Sequence, residues 1–325
     1  MPSPLPSPAD IRAAALRIAA RIHRTPLRRS PGLSGFLGGE AWLKLECEQL
    51  TGSFKLRGAT NALVLLDERA RATGVVASSA GNHGLGIAAA AKELGIAATV
   101  FAPRTAPAVK RDRIAALGAT VDATAASYDA AESLARAHAT RTGAAFVSPC
   151  TGHAVLAGQG TVALEVLEEL PTLRAIVVPV GGGGLVGGIG GLLRAEAPHV
   201  RIVGAQSERT NAMALALASG QPAEIPDRPT LADGLAGLVD AEMLAQGQAA
   251  IDQIVTLREQ AIASAISWLW IEEGVKAEGA GAAGVAALLA GRVQHVEFPV
   301  VVVVSGGNID DDKHGAIIKG KHSHE

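Results

Sequence analysis

The residues best placed to do chemistry fall in four short segments. The first is VVPVGGGGLVGGIGG, where Gly181, Gly182, Gly183 and Gly184 separate an apolar β-branched run from a helical pattern. Without side chains, successive backbone N–H groups can turn toward one anion, and the following helix N-terminus adds partial positive charge. A phosphate suits such a loop. Lysine is missing at the P-loop position, so this is not a Walker A sequence. Gly182-x-Gly184-x-x-Gly187 also fits the dinucleotide fingerprint, which expects an acid near position 206, where this chain has Gln206. A glycine turn that merely packs a helix on a sheet is the plainer alternative, but four consecutive glycines exceed what packing needs.

The second segment is TGSFKLRGA, in which Lys55 follows Phe54 and opens a helical run. A lysine desolvated there becomes a competent amine nucleophile. A solvated lysine in a first turn is the ordinary alternative. The third is SSAGNHG (78–84), where Ser78, Ser79, Gly81 and Asn82 offer hydroxyls and N–H groups at a strand-to-helix turn. An anion such as a carboxylate fits there, and a simple cap by Asn82 fits equally well. His83 has the chemistry of a base, although a histidine beside a cap is more often structural. The fourth is SGGN (305–308), which ends the last apolar run. Carboxyl ends of parallel strands are where open α/β sheets bind ligands. Ser305 can exchange one hydrogen bond with a heterocycle there, or the segment is only a turn.

The surrounding pattern supplies elements to hold these segments. Ser7, Pro8 and Asp10 read as a capping box opening a helix through Ile11, Ala15, Ile18 and Ile22. Strands are expected at 41–46, 75–79, 98–102, 119–123, 144–148, 175–180, 200–206 and 298–305, with helices between them. Strand–helix alternation implies parallel sheets with right-handed crossovers. The run FPVVVVVS suits a central strand buried on both faces. The segment after Asn308 reads as a polar, frayed tail.

Composition limits the partners. The 325 residues carry 29 basic and 31 acidic side chains, a net charge of −2, so nothing electrostatic favours nucleic acid or an acidic membrane. Residues 175–193 are uncharged but hold Pro179 and eight glycines, which argues against a membrane span. Cys47 and Cys150 are far apart and form no CxxC pair. MPSPLPSP has no apolar core and is not a signal peptide. A reduced, cytoplasmic α/β protein follows.

TGSFKLRGA, SSAGNHG, AGQGT (157–161), PVGGGGL, LADG (231–234), EGAGAAG (278–284) and SGGN occur in one order. That order resembles the fold-type II pyridoxal-phosphate enzymes, and most closely their serine/threonine dehydratase and serine racemase branch, over roughly residues 25–308. The resemblance implies two open parallel-sheet α/β domains of the tryptophan synthase β-like architecture. Residues 1–69 and 153–325 would form a large domain, and 70–152 a small one that closes over substrate. It implies pyridoxal 5'-phosphate as cofactor, a small amino-acid substrate and a homodimer. Lys55 would be the Schiff-base lysine and Cα proton acceptor, with Phe54 packed on the cofactor ring. Asn82 would bond the ring hydroxyl, and Ser305 would face the ring nitrogen. Gly181, Gly182, Gly183, Gly184 and Leu185 would hold the phosphate through their N–H groups. Ser79, Ala80, Gly81, Asn82 and His83 would grip the substrate carboxylate. The implied reaction is loss of water and ammonia from a β-hydroxy amino acid such as L-threonine or L-serine, through an aminoacrylate to a 2-oxo acid.

Two departures refine this expectation. Serine racemases place a serine, their second acid/base, where this chain has Ala80, which favours elimination over racemisation. Cation-binding members carry a glutamate where this chain has Gln206, a weaker metal ligand. No metal site is assigned. The given sequence ends soon after SGGN, without the regulatory domain of biosynthetic threonine dehydratases, which points to catabolism. β-Replacement, racemisation, a nicotinamide-dependent oxidoreductase and a silent phosphate-binding protein are the competing readings.

Overall fold

β-Branched and alternating runs form ten strands in the computed structural model, which describes residues 4–226 and 228–320. They are β1 (Leu27–Arg29), β2 (Ala41–Lys44), β3 (Val75–Ser78), β4 (Ala98–Pro103), β5 (Thr120–Ala125), β6 (Ala145–Phe146), β7 (Ala175–Pro179), β8 (Arg201–Ser207), β9 (Gln253–Leu257) and β10 (Val300–Val303). Six form one sheet in the order β1-β2-β10-β7-β8-β9, and four form a second in the order β5-β4-β3-β6. Only the β1–β2 pairing is antiparallel. The expected pair of parallel α/β sheets is therefore present. Strands β1 and β9 were not anticipated.

The valine run behaves as its composition requires. Val300 and Val302 join a core shared with helices Glu259–Glu273 and Gly279–Leu289. Val301 and Val303 join the opposite core, against helices His153–Glu169 and Gly184–Glu196. Alternate side chains of one strand thus serve two apolar layers, so no polar position is left in it.

Close helix packing explains the AGQGT segment. A Cβ on Gly158 would lie 2.7 Å from the Arg57 carbonyl oxygen, and one on Gly160 would lie 2.8 Å from that of Gly188. Helix His153–Glu169 therefore holds both helix Lys55–Val64 and helix Gly184–Glu196 at backbone contact. Any side chain at either glycine would push one of them away.

Ser7 accepts from the Asp10 N–H while the Asp10 carboxylate receives the Ser7 N–H, completing the expected capping box on helix Pro8–Ile18. The segment after Asn308 is not frayed in its described part. Helix Asp311–Ile318 is capped by Asp310, and Ile317 is buried against the large core. Three acids at its start suit a helix N-terminus, which outweighs the polar composition. Residues 1–3 and 321–325 lie outside the described residues. Among the described residues no helix is long and apolar enough to cross a membrane.

Candidate active site

Lys55 is the first residue of helix Lys55–Val64, and no side chain caps that end. Its Nζ donates to the Pro149 carbonyl oxygen at 2.8 Å and stands 5.0 Å from the Phe54 ring centroid. Phe54 is buried, and its N–H donates to the Ser305 carbonyl oxygen at 3.1 Å. Ser53 pairs with Gly306 in an isolated bridge. These bonds tie the lysine to the carboxyl end of β10. The start of helix Asn82–Leu94 approaches from the other side, where a Cβ on Gly86 would lie 3.2 Å from the Lys55 carbonyl carbon.

The glycine loop faces the same place. Cys150 follows Pro149 and covers the loop directly: a Cβ on Gly182 would lie 2.8 Å from Cys150 Sγ, and one on Gly184 would lie 2.9 Å from Cys150 Cα. Gly183 has φ +89°, a left-handed conformation that a side chain would strain. Helix Gly184–Glu196 has no side-chain cap. Among the described residues, none accepts a hydrogen bond from the N–H groups of Gly181, Gly182, Gly183, Gly184 or Leu185. Unpartnered amides at a helix N-terminus, in a cradle that a Cβ would fill, fit a phosphate group. An amine, Lys55, reaches Pro149 next to the loop, and a neutral hydroxyl residue, Ser305, is bonded to its neighbour Phe54. The residues present therefore fit pyridoxal phosphate.

Asn82 sits at the junction of the two sheets. Its Nδ2 donates to Glu278 Oε1 at 2.6 Å, and its Oδ1 accepts from Asn308 Nδ2 at 2.7 Å. One N–H of the amide remains for a ligand. Asn308 Oδ1 in turn accepts from Arg113 at 3.0 Å, and Lys110 pairs with Asp233 at 2.7 Å. Lys110 and Arg113 belong to helix Ala108–Ala116 beside the four-stranded sheet, whereas Asp233, Glu278 and Asn308 belong with the six-stranded one. Four polar links therefore bridge the two sheets around the site.

Burial pushes the Glu278 carboxyl up to about 7, with help from the nearby Asp233 charge; the Asn82 bond, Lys110 and Arg113 oppose the rise. A raised carboxyl favours the folded state fully below its ordinary value of 4.5 and loses that contribution as pH rises through 7. Above that, the buried carboxylate costs about 3 kcal/mol. Glu278→Gln is thus expected to equal the wild type in stability near pH ~4 and to exceed it by about that amount near pH ~9. Urea unfolding of the cofactor-free proteins at both values checks this. A wild type as stable as the variant at alkaline pH would contradict it.

The remaining expected residues divide by role. Ser79 Oγ accepts from the Gly81 N–H at 3.1 Å, shaping the turn that opens helix Asn82–Leu94. Ala80 is buried with Ala102 and Ala106 in a small alanine cluster. The His83 ring shares a 2.9 Å hydrogen bond with the Val147 carbonyl oxygen. Burial and the Lys55 charge hold that ring down to about 3, so it is neutral and structural. Gln206 is buried and bonded at both ends: Nε2 donates to Thr210 O and Oε1 accepts from the Ala214 N–H, both at 2.9 Å. Among the described residues no group of three or more His, Cys, Asp or Glu could hold a metal.

Glu278, Asp233, Asn308 and Cys150 were missed as site residues. The first three lie inside the EGAGAAG, LADG and SGGN segments, so their place was marked, while their partners were not. Lys110, Arg113 and Cys150 carried no signal at all.

A family model described as pyridoxal-phosphate dependent enzyme matches residues 18–306. The chain is similar to the L-threonine ammonia-lyase of Thermotoga maritima, with 43% identity over 305 residues, covering 93% of this chain and 75% of that protein. It is similar to the catabolic L-threonine dehydratase of Staphylococcus aureus, with 36% identity over 315 residues, covering 95% of this chain and 91% of that protein. Its fold matches the structure of maize serine racemase with a TM-score of 0.91 at 32% identity, covering 97% of this chain and 98% of that one.

Proposed function

The chain belongs to the pyridoxal-phosphate dependent enzymes of fold type II, and from that membership we infer a lyase that removes water and ammonia from L-threonine or L-serine. The observation that carries the reading is the meeting of Lys55 with an uncapped glycine loop whose amides have no partner among the described residues. Bound pyridoxal phosphate supplies an electron sink for the charge released when the Cα proton leaves.

The chain's own residues do the rest. Gly181 to Leu185 would hold the phosphate through N–H groups, and Phe54 would pack on the ring. Asn82 donates its free amide hydrogen to the ring oxygen, with Glu278 and Asn308 fixing the plane of that amide. Ser305 meets the ring nitrogen with a neutral hydroxyl, which cannot keep it protonated as a carboxylate would. The loop Ser79 to His83, at the start of a helix, takes the substrate carboxylate through the N–H groups of Ala80, Asn82 and His83, while those of Ser79 and Gly81 hold the turn in shape. Lys55 moves the Cα proton. For threonine the balance is loss of the Cα proton and β-hydroxyl as water, then return of one water as ammonia leaves, giving 2-oxobutanoate.

Residues 70–152 act as a unit that closes over substrate. The Lys110–Asp233 and Arg113–Asn308 links support a closed arrangement in which water is kept from the site. The same reading takes the enzyme as a cytoplasmic homodimer.

Elimination is favoured over racemisation by Ala80. Its methyl moves no proton, and its alanine neighbours supply none. With L-serine, formation of D-serine is expected to be slower than formation of pyruvate by about 10²-fold or more. The test is to give the cofactor-loaded protein L-threonine and L-serine and to measure 2-oxo acid, ammonia and product chirality. Equal amounts of 2-oxo acid and ammonia are the expected result. Absence of 2-oxo acid from both substrates would sink the proposal, and D-serine in comparable yield would turn it into a racemase.

A further inference from the structure

Gln246 lies on helix Ala241–Ala250, which packs against the start of helix Gly184–Glu196. The residue is fully buried, and among the described residues neither Nε2 nor Oε1 has a hydrogen-bond partner. A buried carboxamide with both ends unpaired is rare, because each lost bond to water goes uncompensated. Its position is specific. Oε1 lies 3.7 Å from where a Cβ on Gly183 would stand and 3.5 Å from one on Gly187. The other side chains around the loop here are sulfur and hydrocarbon: Met213 beside Gly183, Met243 beside Gly182 and Leu156 beside Gly187. The Met243 carbonyl oxygen lies 3.6 Å from a Cβ on Gly183, and among the described residues neither end of Gln246 bonds to it. The unpaired loop amides and the unpaired Gln246 amide thus adjoin one another.

We propose that Gln246 completes the phosphate seat. A half-turn of the carboxamide exchanges its two ends and brings Nε2 to the place of Oε1, where it donates to a phosphate oxygen, directly or through one water, so that the carboxamide is satisfied only when cofactor is bound. The inference rests on pyridoxal phosphate as cofactor and adds a ligand that the glycine motif does not contain. It also accounts for a polar residue in a methionine-lined pocket. Glutamine is suited to the place because it is neutral and donates, whereas glutamate would repel the phosphate.

The test compares wild type, Gln246→Met and Gln246→Glu as cofactor-free proteins titrated with pyridoxal phosphate and with unphosphorylated pyridoxal. Quenching of tryptophan fluorescence reports binding. Methionine keeps length and flexibility and joins a methionine-lined site. The expected result is that Gln246→Met weakens pyridoxal phosphate binding about tenfold or more, leaves pyridoxal binding unchanged, and unfolds at no lower temperature than wild type when cofactor-free. Gln246→Glu is expected to bind pyridoxal phosphate more weakly still. The proposal is overturned if Gln246→Met binds pyridoxal phosphate within about twofold of wild type, or if both ligands weaken by one factor. Earlier unfolding of the cofactor-free variant would also overturn it, since the amide would then be structural. A wild type that binds no pyridoxal phosphate would overturn the cofactor reading together with this one, and is distinguished by the wild-type titration alone.

Discussion

Lys55→Ala is expected to lower threonine turnover by about 10³-fold or more, because it removes the amine proposed to join the cofactor and move the Cα proton. The visible absorption of the lysine-bound cofactor should vanish with it. The fold should survive. Among the described residues the one hydrogen bond of the Lys55 side chain goes to the Pro149 carbonyl oxygen, and the residue is only half-buried. An unfolding free energy within ~0.5 kcal/mol of wild type is therefore expected. Lys55→Arg should fail as well, since a guanidinium stays protonated and cannot act as a nucleophile. Turnover within tenfold of wild type for Lys55→Ala would assign the chemistry to another residue.

The largest effect on stability is expected two residues further on. Arg57 is fully buried and bonds Glu46 through Nε and Nη2, both at 2.8 Å. It also bonds Glu165 through Nη1 at 2.6 Å and Nη2 at 2.9 Å. Lys44, equally buried, donates to Glu165 at 2.5 Å and to the Thr25 carbonyl oxygen at 2.6 Å. Two cations and two carboxylates thus balance in the buried interior. Burial opposes the charge on Arg57, yet the two carboxylates hold its pKa above the ordinary arginine value. Burial likewise opposes the charge on Glu165, and Arg57 and Lys44 bring its pKa below the usual carboxylate range.

Arg57→Met leaves the Glu46 carboxylate buried without a cation, with only the Thr25 hydroxyl bonded to it among the described residues, a loss of about 3–5 kcal/mol. That is a large share of the roughly 5–15 kcal/mol that holds a typical domain folded. Chemical unfolding of the cofactor-free protein measures it. The double variant Arg57→Met with Glu46→Gln should recover part of the loss, because the uncompensated charge goes with the glutamate. A loss below ~1 kcal/mol in the single variant would show that the network contributes little. Arg57→Lys should fall between, since an ammonium is a single point that cannot bond two carboxylates in parallel. The network anchors the first turn of the helix that carries Lys55, so activity should fall alongside stability.

Local pattern was enough for much of this molecule. The capping box at Ser7, the strand Val300–Val303 and the glycine turn before helix Gly184–Glu196 each depend on residues a few positions apart. Their backbone conformation follows from neighbours along the chain, so spacing reveals it. The ordered motifs extended that reach to Lys55, Asn82 and Ser305. The tail after Asn308 failed for a local reason too, because polarity was weighed above the capping acids Asp310 to Asp312.

Other features required the folded chain. Asn82 and Glu278 are 196 positions apart, and Arg57 and Glu165 are 108 apart. Neither member of either pair has an environment until the sheets assemble. Glu278 looks like any glutamate at a helix start, and only burial beside Asp233 makes its carboxyl hold its proton to near neutrality. Cys150 gained its place through contact with Gly182 and Gly184, and Gln246 through burial beside Gly183 with no hydrogen-bond partner among the described residues. Periodicity encodes which face of an element is apolar. It does not encode which element that face meets, and desolvation, charge pairing and an unmet hydrogen bond are all properties of that meeting.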